Sequence, residues 1–529
     1  MARSSARVRR AAAAPMKVLF VASECAPFAK TGGLGEVIGA LPKALHKLDL
    51  DVRVVMPLYA GMPWHLFEPL EGVLSVPMWF GMAHAGIRLG RLPGSGVPVY
   101  CLEHQRYFDR PHLYGPPGDA YPDNLERFAF LSRGALELTK ALAWIPDVIH
   151  AHDWQTALVP AYIDTVEWAQ PLHGSATVYT IHNLAYQGVY DGGAMFITAL
   201  GSEHYHAREF EHFRTVNLTK AALYRSTLVT TVSRTYAREI QTPAFGFGLD
   251  GVLAERGADL VGVPNGIDVD EWNPATDRHL AAHFRAADLA GKAQCKAALQ
   301  REAGLPVRAD VPIFALISRL VPQKGVDVFA EALDKILAWD LQVVMLGSGD
   351  PGAERFFASR ARVHRDRLCA FIPFDDARAH RVQAGADFFV MPSRFEPCGL
   401  GQLYALRYGV LPIVRATGGL ADTVASYDEA SVDGTGFVFH DLDPGSLADT
   451  IGWAVSTWYH RPAHVARMRR RAMEEDHSWD PAAREYQRLY LAAYARRRGH
   501  PFPGTDAPEV GSPVAARRSA RRLARPVAS

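Results

Sequence analysis

The chain has 529 residues, 48% hydrophobic, 21% charged and 10% aromatic, the composition of a folded protein too long for one core. Its formal charge of +1 hides an asymmetry: residues 1–15 and 501–529 together carry +7 and the remainder −6, which disfavours a nucleic-acid-binding core. No stretch approaches the roughly 20 apolar residues of a membrane span, and the alanine run 11–14 is too short for a signal-peptide core, so a soluble cytoplasmic protein with no membrane partner is expected.

Five widely spaced cysteines (Cys25, Cys101, Cys295, Cys369, Cys398), without a CxxC or a Cys/His cluster, fit a reducing compartment and no bound metal. The Arg-, Ala-, Pro- and Ser-rich ends, 1–15 and 501–529, read as disordered extensions. Met16 opens the first apolar run and is a second candidate start.

Between these ends, short β-rich runs alternate with helical periodicity, the pattern of parallel sheets covered by helices, and the class is α/β. Residues 17–22 read as a strand, after which Leu34, Val37, Ile38, Leu41, Leu45 and Leu48 step by three and four along one helix face. Further strand-like runs stand at 52–56, 97–102, 148–150, 176–181, 228–232 and 260–263, making one unit over 16–265. A polar helical stretch with Lys292, Lys296 and Gln300 intervenes. Runs at 313–317, 342–346, 388–391, 412–414 and 436–439 then make a second unit over 266–500. Two doubly wound parallel sheets follow, with a boundary between Asn265 and Asp277 and a ligand expected between the domains at strand carboxyl ends.

Several polar segments stand at those ends. Lys30-Thr31-Gly32-Gly33-Leu34-Gly35-Glu36 opens the first helix, where backbone N–H groups and the positive helix end can receive an anion, with Lys30 aimed at a phosphate. A dinucleotide site is disfavoured, because about ten residues separate the strand from these glycines and the second strand does not end in an acid. His150-Ala151-His152-Asp153-Trp154 and Thr180-Ile181-His182-Asn183 end two strands of the same unit; they read as ordinary turns or as walls of one pocket, and HxH lacks a third metal ligand. Ser318-Arg319-Leu320 followed by Gln323-Lys324-Gly325 reads as solvated cations or as a diphosphate grip, the guanidinium bidentate and the ammonium a point charge. In Pro392-Ser393-Arg394-Phe395-Glu396-Pro397-Cys398-Gly399-Leu400-Gly401-Gln402, Glu396 is a cap or a site carboxylate, and Cys398 is a buried thiol before it is a nucleophile. A last glycine turn, Thr417-Gly418-Gly419, follows the next strand.

In order and spacing, KTGGL, HAHDWQTALVP, TIHNLAYQG, NGID, SRLxxQKG, PSRFEPCGL and TGGLADTV resemble the bacterial glycogen synthase and plant starch synthase family, nearly continuously from Met16 to about Arg497. The resemblance implies the GT-B fold, two Rossmann-like domains facing across a deep cleft, with the final helix crossing back to the first. It also implies retaining transfer of glucose from ADP-glucose, a co-substrate, to the non-reducing end of an α-1,4-glucan such as glycogen, without a resident cofactor.

By the same resemblance Lys30, Gly32 and Gly33 approach the donor phosphates, and Asp153 and His182 surround the transferred glucose. Asn265 lines the cleft, and Arg319 and Lys324 hold the diphosphate. Glu396 contacts sugar hydroxyls beside the backbone of Cys398, Gly399 and Leu400, Phe374 stacks on the base, and Thr417 joins the donor-binding set. Departures from the family's pattern are Glu36 for Asp, Gly401 for Thr, Asn or Ser, Arg234 for Pro, Ala221 for Gly, and Pro373 for Gly. None removes a charged site residue. A related transferase using UDP-glucose or a small acceptor, a catalytically weak glucan-binding protein, and a pyridoxal-phosphate-dependent phosphorylase are the competing readings.

Overall fold

The structure, a computed structural model, describes residues 14–116 and 118–505. Most of the two expected extensions lies outside the described residues. The chain divides into two compact units. Of the described residues, the first unit comprises those up to Thr230, Phe247–Val261, and those from Ala483 on; the second comprises Thr231–Gly246 and Gly262–Ala482. In place of one boundary near Asn265, the segment Thr231–Gly246 therefore groups with the second unit, and the last helix, Trp479–Arg498, changes unit at Ala483.

In the first unit the strands run in the order Leu260–Gly262, Leu228–Thr231, Ala176–Ile181, Val148–His152, Lys17–Val21, Asp51–Pro57, Pro98–Glu103, Gly81–Arg91 and Glu68–Pro69, with Leu74–Met78 paired to Gly81–Arg91. The pairings around Lys17–Val21 are parallel, and it is buried on both faces, as its unbroken apolar sequence requires. The strand order reverses beside Lys17–Val21, whose neighbour on one side is the next strand in sequence and on the other is Val148–His152. A reversal splits the flanking loops and opens a crevice at the carboxyl ends.

The second unit repeats the device with six parallel strands: Leu368–Phe371, Gln342–Gly349, Ile313–Leu320, Phe388–Met391, Leu411–Arg415 and Phe437–Phe439. Here the reversal lies between Ile313–Leu320 and Phe388–Met391. Alternate residues feed two cores, Phe314 and Leu316 on one face, Ile313 and Ala315 on the other.

Three expectations are corrected. The antiparallel hairpin Leu74–Met78 with Gly81–Arg91, and the strand Leu368–Phe371, were not anticipated; both carry polar or small residues among the apolar ones. Strand Val148–His152 runs two residues further than its apolar run, because His150 and His152 are buried within it. The polar helix Ala290–Glu302 turns Lys292, Lys296 and Gln300 inward. Its lysines are satisfied there: Lys292 Nζ donates to the carbonyls of Ala384 and Tyr408 at 3.0 Å each, and Lys296 Nζ lies 2.8 Å from Asp387.

Asp387 joins Lys296, Arg469 and the backbone N–H of Ile313 into one buried cluster. Burial alone would raise its carboxyl, but the Arg469 and Lys296 charges hold it below the usual range. Removing it strands a lysine in the core, so Asp387→Ala should lower the unfolding free energy of this unit by about 3–5 kcal/mol in urea denaturation.

Candidate active site

Both strand-order reversals carry the polar segments singled out above. In the first unit the loop after Lys17–Val21 turns back through Glu24, which is 3% exposed. Its carboxylate accepts from Tyr114 Oη, Thr31 Oγ1 and Thr31 N, each at 2.6 Å, and from Gly32 N at 3.3 Å. The chain's own carboxylate thus takes backbone donors that the sequence offered to a phosphate. A Cβ on Gly32 or Gly33 would meet nothing within 4 Å, so both face open space, and no side chain caps the 14-residue helix that starts at Gly33. Lys30 is half-exposed and pairs with Glu36 at 2.8 Å, a surface contact that holds the ammonium weakly.

Across the reversal, Asp153 ends Val148–His152 with φ +56°, strained for any residue but glycine. Its Oδ1 accepts from the backbone N–H of His182 at 2.7 Å and of Asn183 at 3.4 Å, which binds the ends of two adjacent strands together. Burial raises the carboxyl to about 7 against those two donors. His182 lies beside it, its imidazole driven down to about 3 by burial and therefore neutral. His150 does not face the site: its ring bonds to Tyr490 Oη at 2.8 Å and Thr180 Oγ1 at 2.5 Å, fastening the last helix to the sheet.

In the second unit Arg319 stands at the carboxyl end of Ile313–Leu320, exposed and with no ion pair to a described residue. Lys324 follows on a short turn, its Nζ 2.6 Å from Oε2 of Glu396. Glu396 is 5% exposed and also accepts from Ser393 Oγ at 3.1 Å, so it is neither a helix cap nor a surface carboxylate. Backbone contacts set this pair. Gly325 has φ +66°, and a Cβ there would lie 1.8 Å from the carbonyl oxygen of Pro392; Cβ atoms on Gly418 and Gly419 would lie 1.9 and 2.0 Å from the carbonyl oxygens of Glu396 and Cys398. The glycines of the last turn thus serve loop packing, and Gly419 N donates to Glu396 O at 3.0 Å.

Thr417 Oγ1 and Gly418 N each donate to Glu239 at 3.0 Å, while Asp422 accepts from Thr235 N and Oγ1. Two short helices, Arg234–Glu239 and Gly418–Thr423, thereby cap each other reciprocally, the carboxylate near the end of one on the start of the other. Asn265 is buried with its Oδ1 unpartnered among the described residues. Cys398 is buried and its thiol pushed up to about 12 by burial, which makes it a packing residue. Gly399 has φ +73° and Leu400 precedes the helix Gly401–Arg407. Phe374 is 45% exposed, its backbone N–H held by Ser348 Oγ at 2.9 Å.

The structure gathers Lys30, Gly32, Gly33, Asp153 and His182 at one reversal, and Arg319, Lys324, Glu396, Cys398, Gly399, Leu400 and Thr417 at the other. Sequence reasoning missed Glu24, Tyr114, Ser393, Glu239 and Asp422. A carboxylate three residues past a strand was the available signal for Glu24. None existed for the pairing of Glu239 with Thr417, which are 178 residues apart.

A parallel-sheet unit that places a guanidinium with no ion pair among the described residues, an ammonium and a buried carboxylate at its strand reversal suits a transferase acting on an anionic donor. The comparisons with known proteins narrow this. The family described as starch synthase catalytic domain matches residues 17–255, and that described as glycosyl transferases group 1 matches residues 301–474. Glycogen synthase 1 of Geobacter metallireducens is 49% identical over 92% of this chain and 97% of its own, and the glycogen synthase of Moorella thermoacetica is 44% identical over 92% and 99%. The catalytic domain of starch synthase IV from Arabidopsis thaliana, solved with ADP and acarbose, has 34% identity and a TM-score of 0.85 over 91% of this chain and all of that one. The chain belongs to the starch and glycogen synthase family, its fold is GT-B, and it is a glycosyltransferase.

Two predictions follow from the geometry. A carboxyl raised to about 7 in the folded state carries its full stabilising contribution below the unfolded value near pH 4 and loses it as pH rises through about 7. Asp153→Asn, which keeps the shape and the acceptor oxygen under the same backbone strain but does not titrate, should therefore be more stable than the parent by about 2 kcal/mol at pH 8 and level with it near pH 4. A Cβ on Gly401 would lie 2.9 Å from the buried ring of Phe389. Gly401→Ser, towards the family's pattern, should cost about 1–2 kcal/mol in chemical denaturation despite its better helix propensity.

Proposed function

We propose that this enzyme transfers glucose from ADP-glucose to the non-reducing end of an α-1,4-glucan, glycogen, with retention of configuration. The observation that carries the reading is Arg319, a cation with no ion pair among the described residues, close in sequence to Lys324 at the strand reversal of the second unit. ADP in the starch synthase IV structure, and the names of the relatives, support the choice of donor and acceptor.

Glycosyl transfer develops positive charge on the sugar ring and negative charge on the departing phosphate, so fixed cations at the leaving group do most of the work. Arg319 meets the diphosphate bidentately and Lys324 as a point charge. Glu396, neutralising Lys324 before the donor arrives, keeps the ammonium in place and accepts from sugar hydroxyls, beside the backbone of Cys398, Gly399 and Leu400. Thr417 and Asn265 complete the donor surroundings, and Phe374 offers its exposed face to the base.

Lys30 exchanges its weak surface partner for a donor phosphate, with Gly32 and Gly33 leaving room for close approach. Asp153 and His182 flank the transferred glucose. The acceptor O4 attacks on the face the phosphate leaves, and the phosphate takes its proton; no close pair of carboxylates for a covalent intermediate is required. ADP-glucose is a co-substrate, and the scheme asks for no resident cofactor.

We place the enzyme in the cytoplasm: its five cysteines are free, and no helix among the described residues is long and apolar enough to cross a membrane.

The test is incorporation of labelled glucose into a glycogen primer, with ADP-glucose and UDP-glucose in parallel. ADP-glucose should be preferred, and Arg319→Ala and Lys324→Ala should each lower kcat at least about 100-fold. Preference for UDP-glucose, or no incorporation from either, would overturn the reading.

A further inference from the structure

The reaction as proposed makes no use of His152, yet this residue is bonded to one that it does use. His152 is fully buried, its ring stacked on Phe20 with centroids 5.2 Å apart and set against His150 at 3.9 Å. Its backbone N–H is held by Thr156 Oγ1 at 2.6 Å. Its Nδ1 lies 3.0 Å from Nε2 of His182, and its Nε2 is buried without a hydrogen-bond partner among the described residues. Among the described residues no hydrogen bond reaches Nδ1 of His182.

Burial keeps both rings neutral; for His152 the neighbouring His150 and His182 add to that effect. Each ring therefore carries one N–H, and a single bond between two rings allows two arrangements. In one, His182 donates from Nε2 to a bare Nδ1 of His152, whose own N–H then sits at Nε2 in the core with no acceptor. In the other, His152 donates from Nδ1, only a lone pair is left at its Nε2, and the proton of His182 resides on Nδ1. In the first arrangement the unpartnered N–H is sealed in the core at His152 Nε2, whereas in the second it stands on His182 Nδ1, which is not sealed from solvent; a buried N–H without an acceptor is the costlier, so the second arrangement prevails.

We infer that His152 is a positioning residue that fixes the tautomer of His182, holding its proton on Nδ1 so that the ring presents an N–H donor to an oxygen of the bound sugar. The inference rests on the reading of His182 as a neighbour of the transferred glucose. In this form His182 is a fixed donor to a hydroxyl oxygen, and its Nδ1 has no lone pair with which to act as a base. His152 is itself held by the Phe20 stack and by the strand that ends in Asp153, so one strand end sets both the position of His182, through Asp153 Oδ1, and its protonation.

The protein labelled with 15N-histidine allows a direct test, with the His182 signals identified by their loss in His182→Gln. In the parent enzyme the Nδ1 resonance should be that of a protonated nitrogen and the Nε2 resonance that of a bare one; the reverse overturns the inference, whatever the activity. His152→Phe keeps ring volume and the Phe20 stack but removes the donor. It should give a mixture of His182 tautomers and lower kcat/KM about tenfold. His152→Asn restores an N–H near the place of Nδ1 and should recover most of that loss.

Equal losses in both variants, with the His182 signals unchanged, would assign His152 a merely structural role and overturn the inference. A tautomer change in His152→Phe without a change in kcat/KM would support the assignment while overturning the sugar contact of His182. Should His152→Phe fail to fold, the parent spectrum and His152→Asn decide.

Discussion

The Lys324–Glu396 ion pair, 2.6 Å long and largely withdrawn from water, is the contact on which the arrangement of the loops at the second unit's strand reversal depends. Neither partner could be held there alone: a buried carboxylate without its cation costs several kcal/mol, and a free lysine would sample solvent. Three loops must converge to make the pair, and they meet backbone to backbone. That is why Gly325, Gly418 and Gly419 stand where a Cβ would lie 2 Å or less from a neighbouring carbonyl oxygen. Charge placement in this enzyme is therefore a packing property, decided by which backbones can touch.

The same economy runs through the first unit. Donors that a sequence reader assigns to a ligand are partly engaged by the protein itself: Glu24 on the first glycine turn, Glu239 on the last. Such internal carboxylates hold a polar turn in one conformation where water would otherwise solvate it loosely. Lys30 and Arg319 differ: one has only a surface ion pair and the other has no ion pair among the described residues. Asp153 shows what this pre-organisation costs, since it combines a strained backbone with a carboxyl whose ionisation is disfavoured by burial.

Much of this was legible in the sequence, for identifiable reasons. Continuous apolar runs marked the central strands, because a strand buried on both faces has no polar face to interrupt it. Polar segments at the ends of those runs marked the carboxyl edges of the sheets, because parallel strands deliver their carboxyl ends to one edge. The reading failed where local chemistry and tertiary environment disagree. Lys292 and Lys296 stand in a stretch that reads simply as a polar helix, yet they are buried, since distant carbonyls and Asp387 receive them. The segment of His150 read as an ordinary turn or as a pocket wall, and the structure bonds His150 to Tyr490, 340 positions away in the chain.

The sequence by itself determined the fold class, the strand order's raw material and the residue types at the site, because these follow from periodicity and from motif spacing within short windows. Only the tertiary structure decided which carboxylate meets which donor, which glycines exist for contact with another loop, and how two neutral histidines share one proton. Those outcomes depend on distances between residues far apart in the chain, and on burial, which sets whether a charge, a lone pair or an N–H can stand alone.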